Sequence, residues 1–199
     1  FKDAYKAGIR KIIFISTVAV YGKTYGIGIN ENEKLEPKTE YGITKLAAEE
    51  SLQSLCLNKK DLRAMVLRLP LIVGRGAPGN LERLIISIKK GYHLSLSGNN
   101  SLKSVVFKGD VSSTIINWLL IEPNENIQLN LCSGSPSFNQ IEKDLARLFD
   151  KRIFSIPLNP LFFMIKTSQR YLGLYIPVLS KIGLSLTFET MHQFDFIST

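Results

Sequence analysis

Tyr41-Gly42-Ile43-Thr44-Lys45 carries a residue pair with readily stated chemistry. Helix positions four apart share a face, with Cβ atoms about 6 Å apart, so a phenol and an ammonium would be neighbours there. A phenol ordinarily ionises near pH 10, and a positive charge held within roughly 4 to 6 Å favours the phenolate. Such a pair can give and take a proton once a hydroxyl is placed beside it. Ser16 and Thr17, closing the apolar run Ile12-Ile13-Phe14-Ile15, are the candidates. Two residues at fixed spacing are a weak signal alone; the order strand, hydroxyl, loop, helix is what strengthens it. Of the seven tyrosines, only Tyr41 has a lysine four residues on.

The elements that must position these groups follow from pattern. Residues 2 to 8 read as a helix tail closed by Gly8, since glycine accepts the left-handed conformation that ends helices. Ile12 to Ser16 is apolar without alternation, as in a central parallel strand covered on both faces. Residues 22 to 38 are polar and glycine-containing, a long surface loop with Pro37 near its end. Thr39 caps a helix to about Asn58, with Tyr41, Lys45, Ala48, Leu52 and Leu55 on one face. Leu62 to Val73 is a second apolar strand, interrupted by Pro70. Strand, helix, strand implies a parallel α/β fold with right-handed crossovers.

Beyond Gly74 the pattern is less regular. It predicts a helix over Leu81 to Lys90, a strand over Val105 to Phe107 and a helix capped by Asp110 through Leu120. A strand over Gln128 to Cys132 and a helix from Gln140 to Phe149 with Ser137 as cap complete it. Residues 157 to 188 are apolar and broken by prolines 157, 160 and 177 into expected short helices.

Composition bounds the function classes. The 199 residues can bury a sizeable core, and 45% hydrophobic against 21% charged is a globular balance. A net charge of +8, from 25 Lys+Arg and 17 Asp+Glu, suits an anionic ligand such as a nucleotide diphosphate. Nucleic acid is the weaker candidate, because the basic residues fall in scattered pairs (Arg10-Lys11, Lys59-Lys60, Lys89-Lys90) without interleaved aromatics. Cys56 and Cys132 form no Cys-x-x-Cys pair and read as buried reduced thiols of a cytoplasmic protein. His93 and His192 have no partners at metal spacing. No signal peptide is visible, and no apolar run approaches the roughly 18 residues that would span a bilayer.

Phe14-Ile15-Ser16-Thr17-Val18-Ala19-Val20-Tyr21-Gly22 followed by Tyr41-Gly42-Ile43-Thr44-Lys45-Leu46-Ala47-Ala48-Glu49 resembles the extended short-chain dehydrogenase/reductase family, within it the nucleotide-sugar epimerases and dehydratases. Leu67-Arg68-Leu69-Pro70-Leu71-Ile72-Val73-Gly74, Pro78-Gly79-Asn80 and Gly98-Asn99-Asn100 resemble it too, most nearly the bacterial epimerases and 4-ketoreductases of surface-polysaccharide synthesis. The similarity runs to about residue 150.

The resemblance implies a partial Rossmann-like parallel sheet over 1–74 and a smaller mixed α/β substrate-binding lobe over 75–199, with segments near 105–132 returning to the Rossmann domain. It implies NAD or NADP as cofactor and a nucleotide-diphosphate sugar as substrate. Thr17 would hydrogen-bond the sugar oxygen, and Tyr41 would exchange a proton with it while hydride moves to or from nicotinamide. Lys45 would bind the nicotinamide ribose and favour the phenolate. Ser16 would support the site beside the cofactor, and Pro70 and Leu71 would bring backbone to it. Asn80 and Leu81 would meet the nucleotide end of the substrate, and Lys103 its diphosphate, though lysine lacks arginine's bidentate fork. In the 4,6-dehydratases the catalytic Thr is followed by Asp and Glu, an acid and a base for water removal. Val18 and Ala19 stand there instead, which leaves epimerisation or keto reduction. A homodimer is compatible with the family.

Gly74-Arg75-Gly76-Ala77-Pro78-Gly79 spells G-x-G-x-x-G, yet no acid lies in 92 to 100, about 20 residues on, and Pro78 removes an amide a phosphate would need. It is read as a substrate loop. The family's glycine-rich fingerprint is expected ahead of Phe1, so the chain is expected to be a fragment that binds dinucleotide poorly by itself. Two other classes stay open. One is a non-catalytic scaffold of the same fold. The other is a membrane-associated interaction domain built on residues 157 to 188, where Phe162, Phe163, Lys166 and Arg170 could form an amphipathic contact; burial in a core or oligomer surface is favoured over it.

Overall fold

The computed structural model describes residues 1–76, 80–97, 100–121, 125–157 and 186–188. Three strands, β1 (Lys11–Thr17), β3 (Arg63–Leu69) and β7 (Ile127–Asn130), form a parallel sheet in the order β1-β3-β7. Pairing runs from Lys11 opposite Arg63 to Thr17 opposite Leu69. Helix α1 (Lys2–Lys6) leads into β1, and α2 (Glu40–Asn58) crosses from β1 to β3.

The two sheet faces explain the absence of alternation. On one, Leu52, Leu55 and Cys56 of α2 pack on Ala64 and Val66. On the other, Trp118 of α4 (Lys108–Leu120) packs with Met65, Leu67, Leu69 and Leu129. Six of the seven β3 residues are buried, so both faces select apolar side chains. The exception in chemistry is Arg68.

The second strand expected over Leu62 to Val73 divides at Pro70. β3 ends at Leu69, and β4 (Leu71–Val73) pairs with β6 (Val105–Phe107) instead. Proline has no N–H to give to the first ladder, so the chain changes partner there. A further parallel pair joins β5 (Leu94–Ser97) to β8 (Phe154–Pro157). Helices α3 (Asn80–Lys89) and α5 (Phe138–Leu148) pack beside these pairs, with Leu81, Leu84 and Ile88 meeting Ala146.

Several expectations need correcting. Residues 22 to 38 are not wholly loop, since β2 (Gly26–Ile29) pairs with β9 (Leu186–Phe188). Gly26 and Gly28 hide its alternation, and its partner is too distant for local pattern. That places strand, not helix, at residues 186–188; Pro157 is in β8, and residues 158–185, with Phe162, Phe163, Lys166 and Arg170, lie outside the described residues, as do Pro78, Gly79, Gly98 and Asn99. Asp110 is not a cap. α4 begins earlier, at Lys108, and Asp110 in its first turn accepts a hydrogen bond from Ser133 Oγ. Cys56 is buried, and burial pushes its thiol pKa up, while Cys132 is half-buried; both are free thiols. Thr39 and Ser137 cap α2 and α5 through Gly42 N at 3.1 Å and Gln140 N at 3.2 Å. Among the described residues no helix is long and apolar enough to cross a membrane.

Candidate active site

Thr17 ends β1 and caps the 3-10 turn Val18–Tyr21, its Oγ1 accepting from Ala19 N at 3.2 Å. Gly22 closes that turn with φ +63°, and a Cβ there would stand 1.8 Å from the Glu36 carbonyl oxygen. The 22–36 excursion therefore returns to its own base and delivers Pro37 and Thr39 beside the turn. α2 starts there and packs on it. A Cβ on Gly42 would lie 2.9 Å from the Ala19 carbonyl oxygen and 3.0 Å from Pro37 Cβ. Glycine at position 42 is what lets the first turn of α2 sit against the end of β1.

This packing sets the proton-transfer candidates. Tyr41 is 58% exposed, its ring open to solvent. Lys45 is half-buried, and its Nζ donates to the Ile15 carbonyl at 2.8 Å. The same ammonium lies 5.8 Å from the Tyr41 ring centroid and 4.9 Å from that of Phe14. Tyr41, Lys45, Ser16 and Thr17 thus gather at the carboxyl end of β1, the end at which open parallel sheets take ligands.

The other expected residues occupy different elements. Ser16 is buried and donates to Glu49 Oε1. Pro70 is half-buried at the partner change after β3, and Leu71 packs with the α3–α5 cluster. Asn80 opens α3. Leu81 is buried in that cluster, so its side chain is committed to packing. Lys103 is half-buried just before β6, its amide donating to Pro136 O at 3.0 Å, and burial pushes its ammonium pKa down.

Behind the site lies a polar network that pattern did not reveal. Glu49 and Arg68 are 2% and 1% exposed and form an ion pair with Nη2 to Oε2 at 2.7 Å. Arg68 Nε also faces both carboxylate oxygens, at 3.3 and 3.2 Å, and Nη1 donates to the Tyr21 hydroxyl at 2.9 Å. Tyr21 donates in turn to Asn130 Oδ1 at 2.8 Å, and its ring stacks on Phe188. Burial pushes the Tyr21 pKa up, with Arg68 and Asn130 pulling the other way. An arginine inside an apolar strand was the available signal, because a charge is almost never fully buried unless paired. A second cluster joins α3, β5 and α5, with His93 Nε2 2.7 Å from Glu142 Oε1, His93 Nδ1 3.1 Å from Ser87 Oγ, and Ser95 donating to Glu142. Among the described residues no group of three potential ligands could hold a metal.

A parallel α/β sheet with an exposed tyrosine and a lysine four residues on, on the helix that packs at the carboxyl end of β1, is the arrangement expected from the resemblance to the short-chain dehydrogenase/reductase class. The model of the NAD dependent epimerase/dehydratase family matches residues 2–119, and the chain belongs to that family. Among curated relatives it is 27% identical over 165 residues to a UDP-glucose 4-epimerase of Vibrio cholerae, covering 79% of this chain and 49% of that protein. It is 28% identical over 139 residues to the N-acetyl-alpha-D-glucosaminyl-diphospho-ditrans,octacis-undecaprenol 4-epimerase of Escherichia coli O157:H7, covering 69% and 39%. The chain spans about half the length of these relatives or less. The fold is shared with MoeE5 solved with UDP-glucose and NAD (TM-score 0.66, 22% identity, 78% of this chain and 54% of that one). It is shared equally with the UDP-Glc/GlcNAc 4-epimerase of Campylobacter jejuni (TM-score 0.65, 18% identity, 78% and 54%).

The family's cofactor is NAD, and the residues here suit it. A solvent-open phenol, and an ammonium held by a carbonyl near the carboxyl end of a parallel strand, are hydrogen-bonding groups that would suit a ribose hydroxyl.

Proposed function

We infer that the protein carrying this chain interconverts the 4-epimers of a nucleotide-diphosphate sugar. The observation that carries this reading is the convergence of Thr17, Tyr41 and Lys45 at the carboxyl end of β1, held by the Gly42–Ala19 contact. The curated relatives named as 4-epimerases support the reaction class. NAD supplies a hydride acceptor that can return the hydride.

The chain's own residues handle the proton and the placement. Tyr41 takes the proton of the sugar hydroxyl as its carbon is oxidised and gives one back on reduction. Lys45, its ammonium 5.8 Å from the Tyr41 ring centroid, would hold the cofactor ribose. The Thr17 hydroxyl orients the reacting oxygen, since its other contact, from Ala19 N, uses only one lone pair. Val18 and Ala19 offer no acid or base, which disfavours dehydration. Ser16, Pro70 and Leu71 shape the cofactor side, and Asn80, Leu81 and Lys103 the nucleotide side. Leu81 would act there through backbone, given its buried side chain.

The test is product analysis by proton NMR after incubating the complete polypeptide with UDP-glucose and NAD. The expected result is a mixture of UDP-glucose and UDP-galactose without net change in nicotinamide absorbance. Stoichiometric oxidation of added NADH or NADPH by a 4-keto sugar nucleotide, with no epimer formed, would assign a 4-ketoreductase instead.

A further inference from the structure

We propose that Glu49, through Arg68, is the positioning residue that sets Tyr41 and Lys45 against Thr17. The proposal rests on the functional reading above and names a residue that acts through others and touches neither substrate nor cofactor.

Burying an ion pair generally gives no more stability than filling the same space with apolar side chains, because desolvation offsets the attraction. Stability alone therefore leaves Glu49 and Arg68 unexplained at 2% and 1% exposure, Arg68 standing in the otherwise apolar run Ala64 to Leu69. Geometry explains them. Segments of β1, the 3-10 turn and β7 each share a hydrogen bond with this pair. Ser16, next to Thr17, donates its hydroxyl to Glu49 Oε1. Tyr21, closing the turn that Thr17 caps, accepts from Arg68 Nη1 at 2.9 Å. Gln128 of β7 accepts from Arg68 Nη2 at 3.4 Å, and Tyr21 passes the chain of bonds to Asn130 and on to the Ile29 carbonyl.

Glu49 itself is four residues beyond Lys45 and eight beyond Tyr41, on the same face of α2. Three Arg68 contacts to one carboxylate fix both the rotation of α2 about its axis and its height against β3. Lys45 is fastened to Ile15 O one turn earlier, so the helix is held at two successive turns, once to each strand. A carboxylate and a guanidinium are directional where an apolar contact is not, and reacting groups need placement within about 0.5 Å.

Two variants of the complete polypeptide test this, assayed with NAD and UDP-glucose beside Tyr41→Phe. In E49M/R68M the pair becomes apolar; the unfolding midpoint in urea is expected to fall by about 0.5–1.5 M for the Ser16 hydroxyl it strands, while kcat falls at least about tenfold with KM within about twofold. Glu49→Asp keeps the charge and the pair but withdraws the carboxylate by about 1.5 Å, one C–C bond. It is expected to stay folded with a similar loss of kcat, and it decides the matter if the double variant does not fold. A kcat within about twofold of wild type for folded Glu49→Asp overturns the proposal. If Tyr41→Phe is as active as wild type, the reading of the site itself falls. If Tyr41→Phe is inactive and the Glu49 variants are fully active, only the positioning role falls.

Discussion

Gly42→Ala probes the contact on which the site geometry depends. In a solvent-facing helix the change would stabilise by up to about 1 kcal/mol through helix propensity. Here the added methyl would meet the Ala19 carbonyl oxygen at 2.9 Å, Pro37 Cβ at 3.0 Å and Thr39 Oγ1 at 3.2 Å. The first of these is backbone and cannot rotate away, so α2 and the 3-10 turn must separate by a few tenths of an ångström. Overpacking of this kind costs about 1–3 kcal/mol. Set against the propensity gain, the net loss centres on about 1 kcal/mol. With a urea slope of about 2 kcal/mol/M, the unfolding midpoint falls by about 0.5 M. The displacement also moves Tyr41 relative to Thr17, so kcat in the complete polypeptide is expected to fall about tenfold, given that 1 Å can cost a hundredfold. A midpoint that rises by about 0.5 M, as for an ordinary exposed glycine, with turnover unchanged, would refute the packing argument.

Other perturbations follow from the same contacts. Arg68→Met alone leaves the Glu49 carboxylate buried without its counter-ion and should cost about 3–5 kcal/mol in urea unfolding. Gly22→Ala must hold φ +63° beside a carbonyl 1.8 Å away. The left-handed backbone alone costs about 1–2 kcal/mol, and the clash adds to it, so the midpoint should fall further than for Gly42→Ala. Tyr21 has its pKa raised by burial above the ordinary 10.0. The folded state then holds the phenol proton longer than the unfolded one, so its stability contribution is full below pH 10 and lost as pH rises through the folded-state value. Tyr21→Phe should flatten the decline of stability above pH 10 while costing about 1–3 kcal/mol at neutral pH for the partners it strands.

The Tyr41–Lys45 part of the candidate site was legible because it is local. Tyr41 and Lys45 lie within one helix turn of each other, and Thr39 caps that helix from the preceding residue. β3 announces itself as a largely apolar run because both of its faces are covered, whereas β1, expected as a central strand covered on both faces, lies at the edge of the described sheet and is mostly half-buried. What sequence did not expose depends on residues far apart. β2 finds β9 some 160 positions away, where Gly28 N donates to Thr187 Oγ1. Glu49 and Arg68 look like an ordinary helix acid and a strand interruption until folding buries both. His93 meets Glu142 across 49 residues, so no motif spacing could name the pair. Asp110 resembled a cap because it precedes a helical stretch, but its carboxylate is engaged by Ser133 and the helix had already begun.

In the proposed epimerisation Tyr41 moves the proton, and turnover of Tyr41→Phe measures that role most directly. The complete polypeptide is assayed with NAD and UDP-glucose, with far-ultraviolet circular dichroism and the urea midpoint confirming an unchanged fold. Tyr41 is exposed, so losing its hydroxyl should leave stability unaltered. A fall in kcat of about 10²–10⁴-fold with little change in KM is the expected result. Wild-type turnover in the folded variant would contradict it.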